Sequence, residues 1–161
     1  MSDEHVVTTR KFSEAQPLQP DPAMKRLDKL VGTWNLTGRT LDSDSDNIKG
    51  WVTIEWLPGG HFLQLRGETE VMDMKVQSLE IIRYDPSTKK FPSTVYANLG
   101  GEPLPYEWDV QGDTVIHAGA GATYTGLFSE DGRTLSGGWR PDGGSTESPG
   151  NAYDAIMIRV D

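Results

Sequence analysis

The spacing of turn-forming residues constrains the fold of this chain more than any other feature of its sequence. After Gly32, clusters of Gly, Pro, Asn and Asp interrupt the chain at short intervals. Four of them, at Pro58–Gly60, Asp85–Ser87, Gln111–Asp113 and Asp131–Arg133, carry residues that tight turns favour. The segments between the turns are rich in β-branched and aromatic residues, which favour strands. This pattern predicts an all-β chain.

Ten short strands fit between these turns, at the close spacing typical of an antiparallel meander. The predicted strands are Thr33–Leu41, Gly50–Leu57, His61–Val71, Lys75–Tyr84, Phe91–Asn98, Leu104–Val110, Thr114–Ala118, Thr123–Ser129, Thr134–Arg140 and Ala152–Val160. A single closed up-and-down β-barrel of about ten strands is the predicted architecture, because closure removes the exposed edges of so long a sheet. An open sandwich is the alternative that composition leaves open.

One short N-terminal helix precedes the strands. Asp21 is a suitable N-cap, Pro22 suits the first helical position, and Gly32 suits the end of the helix. Apolar residues recur between them at Met24, Leu27, Leu30 and Val31. A helix with one apolar stripe must pack on another element, so we expect it to cap one end of the barrel.

The chain divides into a tail and one domain. Residues 1–20 lack a repeating apolar pattern and are predicted to form a mobile N-terminal tail, with Val6 and Val7 as an alternative edge strand. Residues 21–161 form the predicted barrel domain, a size that suits one hydrophobic core.

Composition excludes several classes of function. The chain has no cysteine, which removes disulfides, thiolate metal sites and cysteine nucleophiles. Its formal net charge of −9 disfavours nucleic acid and anionic membranes as partners. No apolar run is long enough for a membrane helix, and the N-terminus lacks the apolar core of a secretory signal. We therefore expect a cytoplasmic protein.

Two polar loops and two histidines bear on metal binding. The aspartates of Asp42–Lys49 alternate as in calcium loops, but the glycine and the closing glutamate are missing, so a solvated hairpin loop is predicted. Asp142–Asn151 is a Gly/Ser/Pro-rich loop. His61 and His117 have no nearby ligand at metal-binding spacing, and no metal site is predicted.

Aromatic and polar residues on the strands are the candidate binding residues. Five tryptophans and five tyrosines could supply the aromatic walls of a small-molecule pocket. The predicted ligand-binding residues are Trp56, Gln64, Arg66, Tyr96, Trp108, His117, Tyr124 and Trp139. The sequence does not decide which face of each strand points inward, and it leaves the same question open for Glu55, Glu80 and Arg83.

His117 is the candidate with the most varied chemistry. It lies just before the glycine-rich turn Ala118–Ala122, where its ring could serve as a general base, a hydrogen-bond donor or an axial ligand. The turn has neither the following helix nor the Lys-Ser/Thr pair of a phosphate-binding loop.

Four motifs resemble a known family. Leu27–Trp34 (LDKLVGTW) places Gly-x-Trp directly after the helix, as in lipocalins and fatty-acid-binding proteins, where the tryptophan plugs one end of the barrel. Leu57–Gly67 (LPGGHFLQLRG), Ile82–Lys90 (IRYDPSTKK) and Leu135–Trp139 (LSGGW) extend the match. Together they resemble the bacterial lipocalin-like (calycin) domain family of unknown function, over roughly residues 24–160. The resemblance implies a closed barrel with an internal cavity.

Nitrobindin-like barrels are a more distant resemblance. They bind haem through a histidine on a late strand, but Thr134–Arg140 and Ala152–Val160 contain none. No cofactor is therefore expected.

Three functions fit this sequence. The first is binding of a small, largely apolar or aromatic molecule in a cavity of about 300–1,000 Å³. The second is a small β-barrel enzyme, an isomerase, cyclase or hydrolase, using the same cavity. The third is a structural or interaction module with a filled barrel and an apolar external patch, for which a homodimer is the expected assembly.

Overall fold

The computed structural model describes residues 18–144 and 152–161, which form a closed barrel of ten antiparallel strands. Each strand pairs with the next along the chain, and the last pairs with the first. The strands are β1 (Gly32–Thr40), β2 (Ile48–Trp56), β3 (Leu63–Val71), β4 (Met74–Ile82), β5 (Phe91–Ala97), β6 (Leu104–Gln111), β7 (Thr114–Gly119), β8 (Ala122–Phe128), β9 (Thr134–Pro141) and β10 (Tyr153–Arg159). The predicted up-and-down barrel is confirmed, and the open sandwich is wrong.

The turn before β3 is longer than predicted. Gly59 and Gly60 adopt positive φ angles of 95° and 76°, and the Leu57 N–H donates to the carbonyl of Phe62 at 2.9 Å. The turn therefore extends through residue 62, and β3 begins two residues later than the sequence pattern predicts.

The predicted helix is present as a 3₁₀ helix over Pro22–Leu30, with the Asp21 carboxylate accepting a hydrogen bond from the Ala23 N–H at 2.9 Å. Its buried residues are Met24, Leu27 and Leu30. Every third residue falls on the same face at 3.0 residues per turn, so this spacing suits a 3₁₀ helix. A further 3₁₀ turn covers Asp142–Gly144.

Trp34 closes the end of the barrel that the helix covers. Its side chain is fully buried, and its indole N–H donates to the Leu30 carbonyl at 2.9 Å. The Arg159 guanidinium lies 4.2 Å from the centre of the Trp34 ring, within the range of a cation–π contact. Arg159 also donates to the carbonyls of Lys29 and Val31. The last strand is thereby fastened to the end of the helix.

Glycines on the strands allow the sheet to coil tightly enough to close. A Cβ at Gly50 would collide with the carbonyl oxygen of Glu68, and one at Gly137 would collide with that of Thr125. Neighbouring strands come this close only where a side chain is missing, as at the bends of small barrels.

Some predictions lie outside the described residues. They concern residues 1–17 of the predicted tail, including Val6 and Val7, and most of the Asp142–Asn151 loop. Among the residues that are described, no helix is long and apolar enough to cross a membrane.

Replacing Trp34 tests how much this residue stabilises the closed end of the barrel. Trp34→Ala removes a fully buried indole, and we expect the free energy of unfolding to fall by about 3–5 kcal/mol. The measurement is urea denaturation at equilibrium. Trp51→Ala is the matched control, since Trp51 is 39% exposed on the outer face of β2, and its cost should stay below about 1 kcal/mol. Equal losses in the two variants would contradict this role of Trp34.

Candidate functional site

Five large side chains stand side by side across five consecutive strands. Trp108 on β6 pairs directly with His117 on β7, which pairs with Tyr124 on β8. Tyr124 pairs with Trp139 on β9, and Trp139 pairs with Tyr153 on β10. All five point into the barrel, and we call them the aromatic row.

Two short turns fix the register of this row. The link between β6 and β7 is Gly112–Asp113, and the link between β7 and β8 is Ala120–Gly121. Ala120 and Gly121 both have positive φ, as two-residue hairpin turns favour. Because a hairpin's register follows from its loop length, these turns place His117 opposite its two partners.

The aromatic row forms one wall of a partly open cavity of about 160 Å³ inside the barrel. The remaining lining residues are apolar: Leu30, Leu36, Val52, Ile54, Leu65, Leu135, Ala155 and Met157. Leu30 comes from the helix, so the floor of the cavity lies at the closed end. Trp139 and Tyr153, near the other end, are half-buried.

A buried carboxylate holds the first members of the row in place. The Oε2 atom of Glu80, on β4, accepts hydrogen bonds from the Ser93 hydroxyl at 2.6 Å and the Trp108 indole N–H at 2.7 Å. Nε2 of His117 lies 3.0 Å from the same oxygen. The Glu80 and His117 side chains are 9% and 13% exposed. The network therefore joins four neighbouring strands inside the barrel.

The surroundings of Glu80 keep it ionised. Burial would raise the pKa of this carboxyl, but in acid, where Glu80 titrates, the positive charge of His117 and the hydrogen bonds from His117, Ser93 and Trp108 outweigh burial. The pKa of Glu80 therefore lies below its usual value of 4.5. An ionised carboxylate only accepts hydrogen bonds, so Nε2 of His117 must carry a hydrogen.

The His117 ring is also fixed by stacking. It lies 3.7 Å from the centre of the Trp108 ring at an angle of 18°. Trp139 meets it edge-on with the ring centres 5.1 Å apart. Together with the bond to Glu80, these contacts give the imidazole one orientation against the cavity.

Burial also raises the pKa of the two tyrosines that line the cavity. It raises the pKa of Tyr153 to about 12, with a smaller contribution from Tyr106, and it raises the pKa of Tyr124 further still. The Tyr124 ring lies over Gly126, where a Cβ would overlap it. Both hydroxyls can donate or accept a hydrogen bond at physiological pH.

The structure brings together four of the predicted binding residues. Trp108, His117, Tyr124 and Trp139 all line the cavity. Ligand binding by them stays a prediction, but they share one interior surface.

The other four predicted residues lie away from the cavity. Trp56 donates from its indole N–H to Asp28 at 3.2 Å and fastens the helix to β2. Gln64 and Arg66 point outward, because Leu63 and Leu65 take the inward positions of β3. Tyr96 is on the outer face of β5 and is 49% exposed.

Glu80, Ser93 and Tyr153 were not among the predicted site residues. Both faces of the fourth predicted strand carry apolar residues, so alternation does not show that Glu80 points inward. The same holds for Tyr153, because the last predicted strand carries apolar residues on both faces, Ala155 and Met157 on one and Ile156 and Ile158 on the other.

Other concave regions and metal sites are weaker candidates. A depression of about 540 Å³ runs along β1 and β10 on the outer surface, beside Arg39 and Asp154, and is open to solvent. An open groove would cover little of a small molecule. Within the described residues, no three His, Asp or Glu side chains are grouped so that they could hold a metal ion.

The pH dependence of stability tests the Glu80 network. A lowered pKa means that the contribution of Glu80 is complete above pH 4.5 and is lost as the pH falls through the folded-state value. In Glu80→Gln, we expect the free energy of unfolding at pH 7 to fall by about 1–3 kcal/mol, because hydrogen bonds to a charged group contribute about that much to stability. The gap between wild type and variant should narrow between pH 4.5 and 3 in urea denaturation.

A matched control separates this effect from general acid sensitivity. Glu55 is exposed on the outer face of β2, so Glu55→Gln should follow the wild-type pH profile. A gap between wild type and Glu80→Gln that stays constant from pH 7 to pH 3 would show that the ionised carboxylate does not stabilise the fold.

Comparison with protein-family models identifies the family of this chain. Residues 19–126 match the family described as a protein of unknown function (DUF1579). No curated protein matches the chain. The match covers more than half of the sequence, from the start of the helix through most of β8, and includes Glu80 and the first three members of the aromatic row. The chain therefore belongs to the DUF1579 family.

Proposed function

We propose that this protein binds one small, largely apolar or aromatic molecule inside the barrel. The observation that carries the proposal is the cavity of about 160 Å³ beside the aromatic row. An apolar cavity of about 150 Å³ engineered into another protein binds benzene. A molecule with a single ring therefore suits this space.

The volume narrows the class of ligand. The cavity volume is below the roughly 300–1,000 Å³ expected from the sequence, and it matches a single-ring molecule better than a porphyrin or a long acyl chain. Large side chains account for this, since Trp34 and Leu30 fill the closed end and the aromatic row occupies one wall.

The residues that line the cavity favour a ligand-binding site over a void left by imperfect packing. Small-molecule sites typically combine apolar walls with a few fixed polar groups. Here the walls are aliphatic and aromatic, and the polar groups are the His117 imidazole with the Tyr124 and Tyr153 hydroxyls.

General acid–base catalysis is a second candidate. It is favoured by the Glu80–His117 contact, because a carboxylate that orients an imidazole is a common arrangement in such enzymes. A ligand recovered chemically unchanged after incubation would favour binding, whereas a converted product would favour the enzyme. The filled structural module and the homodimer stay predictions.

We also infer that the barrel is of the calycin type. The inference is supported by Gly-x-Trp after the helix and by Trp34 at the closed end of the barrel. A bacterial origin and a cytoplasmic location stay predictions.

Filling the cavity tests the binding proposal. Ala155 lines the cavity and its neighbour Ile156 is 44% exposed on the outer face of the same strand. Ala155→Leu should weaken the binding of toluene at least tenfold, which is about 1.4 kcal/mol, because its side chain takes up ligand space. Ile156→Leu should bind as the wild type does. Chemical-shift titration by NMR measures both affinities.

Two further measurements complete this experiment. Far-UV circular dichroism and thermal melting establish that both variants are folded. Native mass spectrometry of the purified protein should show an added mass that disappears on denaturation if a ligand is retained. Toluene affinity unaffected by Ala155→Leu, or the absence of binding by any single-ring molecule, would overturn the proposal.

A further inference from the structure

We propose that the cavity selects neutral single-ring molecules that carry a hydrogen-bond donor, with phenol as the simplest example, because Nδ1 of the neutral His117 imidazole accepts that hydrogen bond. This inference rests on the proposed function and adds the chemical class of the ligand. It goes beyond size and apolarity, which do not distinguish phenol from toluene.

The first step is the position of the hydrogens on the imidazole. The Trp108 indole N–H can only donate, and it donates to Oε2 of Glu80. That oxygen is therefore an acceptor, and Nε2 of His117 reaches it as a second donor. In the neutral imidazole the other nitrogen, Nδ1, then has a free lone pair.

The second step is the accessibility of Nδ1. It makes no hydrogen bond to any described residue, while Nε2 bonds to Glu80. In the described part of the chain, every side-chain nitrogen or oxygen that is shielded from solvent has a hydrogen-bond partner. Nδ1 is therefore in contact with accessible space, and His117 lines the cavity. A bound molecule can supply the missing donor.

The third step is charge. Among the described residues that line the cavity, none is Lys or Arg. The charge of Glu80 lies directly behind the imidazole, with 3.0 Å between Oε2 and Nε2. Beside the neutral imidazole, a carboxylate or phosphate would meet this negative charge without a Lys or Arg side chain to balance it, so an anionic ligand is disfavoured.

The tyrosine hydroxyls do not impose the same preference. Tyr124 and Tyr153 stay protonated, and a hydroxyl can both donate and accept. They tolerate a ligand with either kind of polar group. The imidazole acceptor, fixed by Glu80, is therefore the group that discriminates.

The experiment compares four probes of similar size on the wild-type protein by NMR titration: phenol, toluene, anisole and benzoate. Without a partner for its hydroxyl, phenol would bind at least tenfold more weakly than toluene, because burying an unpaired hydroxyl is costly. We expect phenol instead to bind at least as tightly as toluene, and more tightly than anisole and benzoate.

A variant assigns the preference to His117. His117→Leu leaves Glu80 with its bonds to Ser93 and Trp108, and it should weaken the binding of phenol at least tenfold relative to that of toluene. Gln64→Leu, on the outer face of β3, should keep the wild-type order. If His117→Leu does not fold, ¹⁵N NMR of the wild-type imidazole at a pH where it is neutral gives a second test. It should show a protonated Nε2, and an Nδ1 resonance that moves on adding phenol but not toluene.

The outcomes separate the two proposals. Toluene binding more tightly than phenol, or a preference for phenol that survives in His117→Leu, overturns this inference and leaves the proposed binding function in place. Benzoate binding most tightly overturns it as well. No binding by any of the four probes overturns the proposed function itself.

Discussion

The interior of this barrel depends on one buried carboxylate. Moving an isolated charge into an apolar interior costs several kcal/mol, so a carboxylate such as Glu80 is stable there only with compensating donors. Three donors, from β5, β6 and β7, meet at its Oε2 atom. Removing the carboxylate would leave Trp108 with a buried N–H and no acceptor. The same contacts connect four strands and orient the imidazole, so stability and site chemistry have a common origin.

The barrel is divided into a filled end and a hollow middle. At the filled end, Trp34 is enclosed by the helix and by Arg159, which leaves no room for a ligand. Leu30 belongs to both regions, because it is fully buried and also forms the floor of the cavity. The helix therefore sets the depth of the cavity, and a change in the packing of the helix would change the shape of the cavity floor.

Most of the fold could be predicted from the sequence. Turn chemistry and strand propensity identify all ten strands, because each tight turn needs particular residues and the segments between the turns are rich in β-branched and aromatic residues. The 3₁₀ form of the helix was missed, although Met24, Leu27 and Leu30 recur with a period of three. The turn before β3 was misjudged because positive φ at two successive glycines lengthens it.

The site was predictable only in part, since it depends on which faces point inward. In β3 the apolar choice, Leu63 and Leu65, is the correct inward face, and the polar alternative of Gln64 and Arg66 is not. In β4 both faces carry apolar residues, and a lone carboxylate among them gives no signal of burial. Only the register across four strands shows that Glu80 meets its donors, and no single strand contains that information.

The charge on Glu80 has a consequence that a neutral amide would not have. A glutamine in this place could still accept from Trp108 and Ser93, and its oxygen could accept from Nε2 of His117. The position of the hydrogens would then be unchanged. The negative charge, however, polarises the imidazole through the Nε2–H bond, and this makes Nδ1 a stronger acceptor. The ionised side chain therefore increases the attraction of the cavity for a donor, while the same charge repels anions from it.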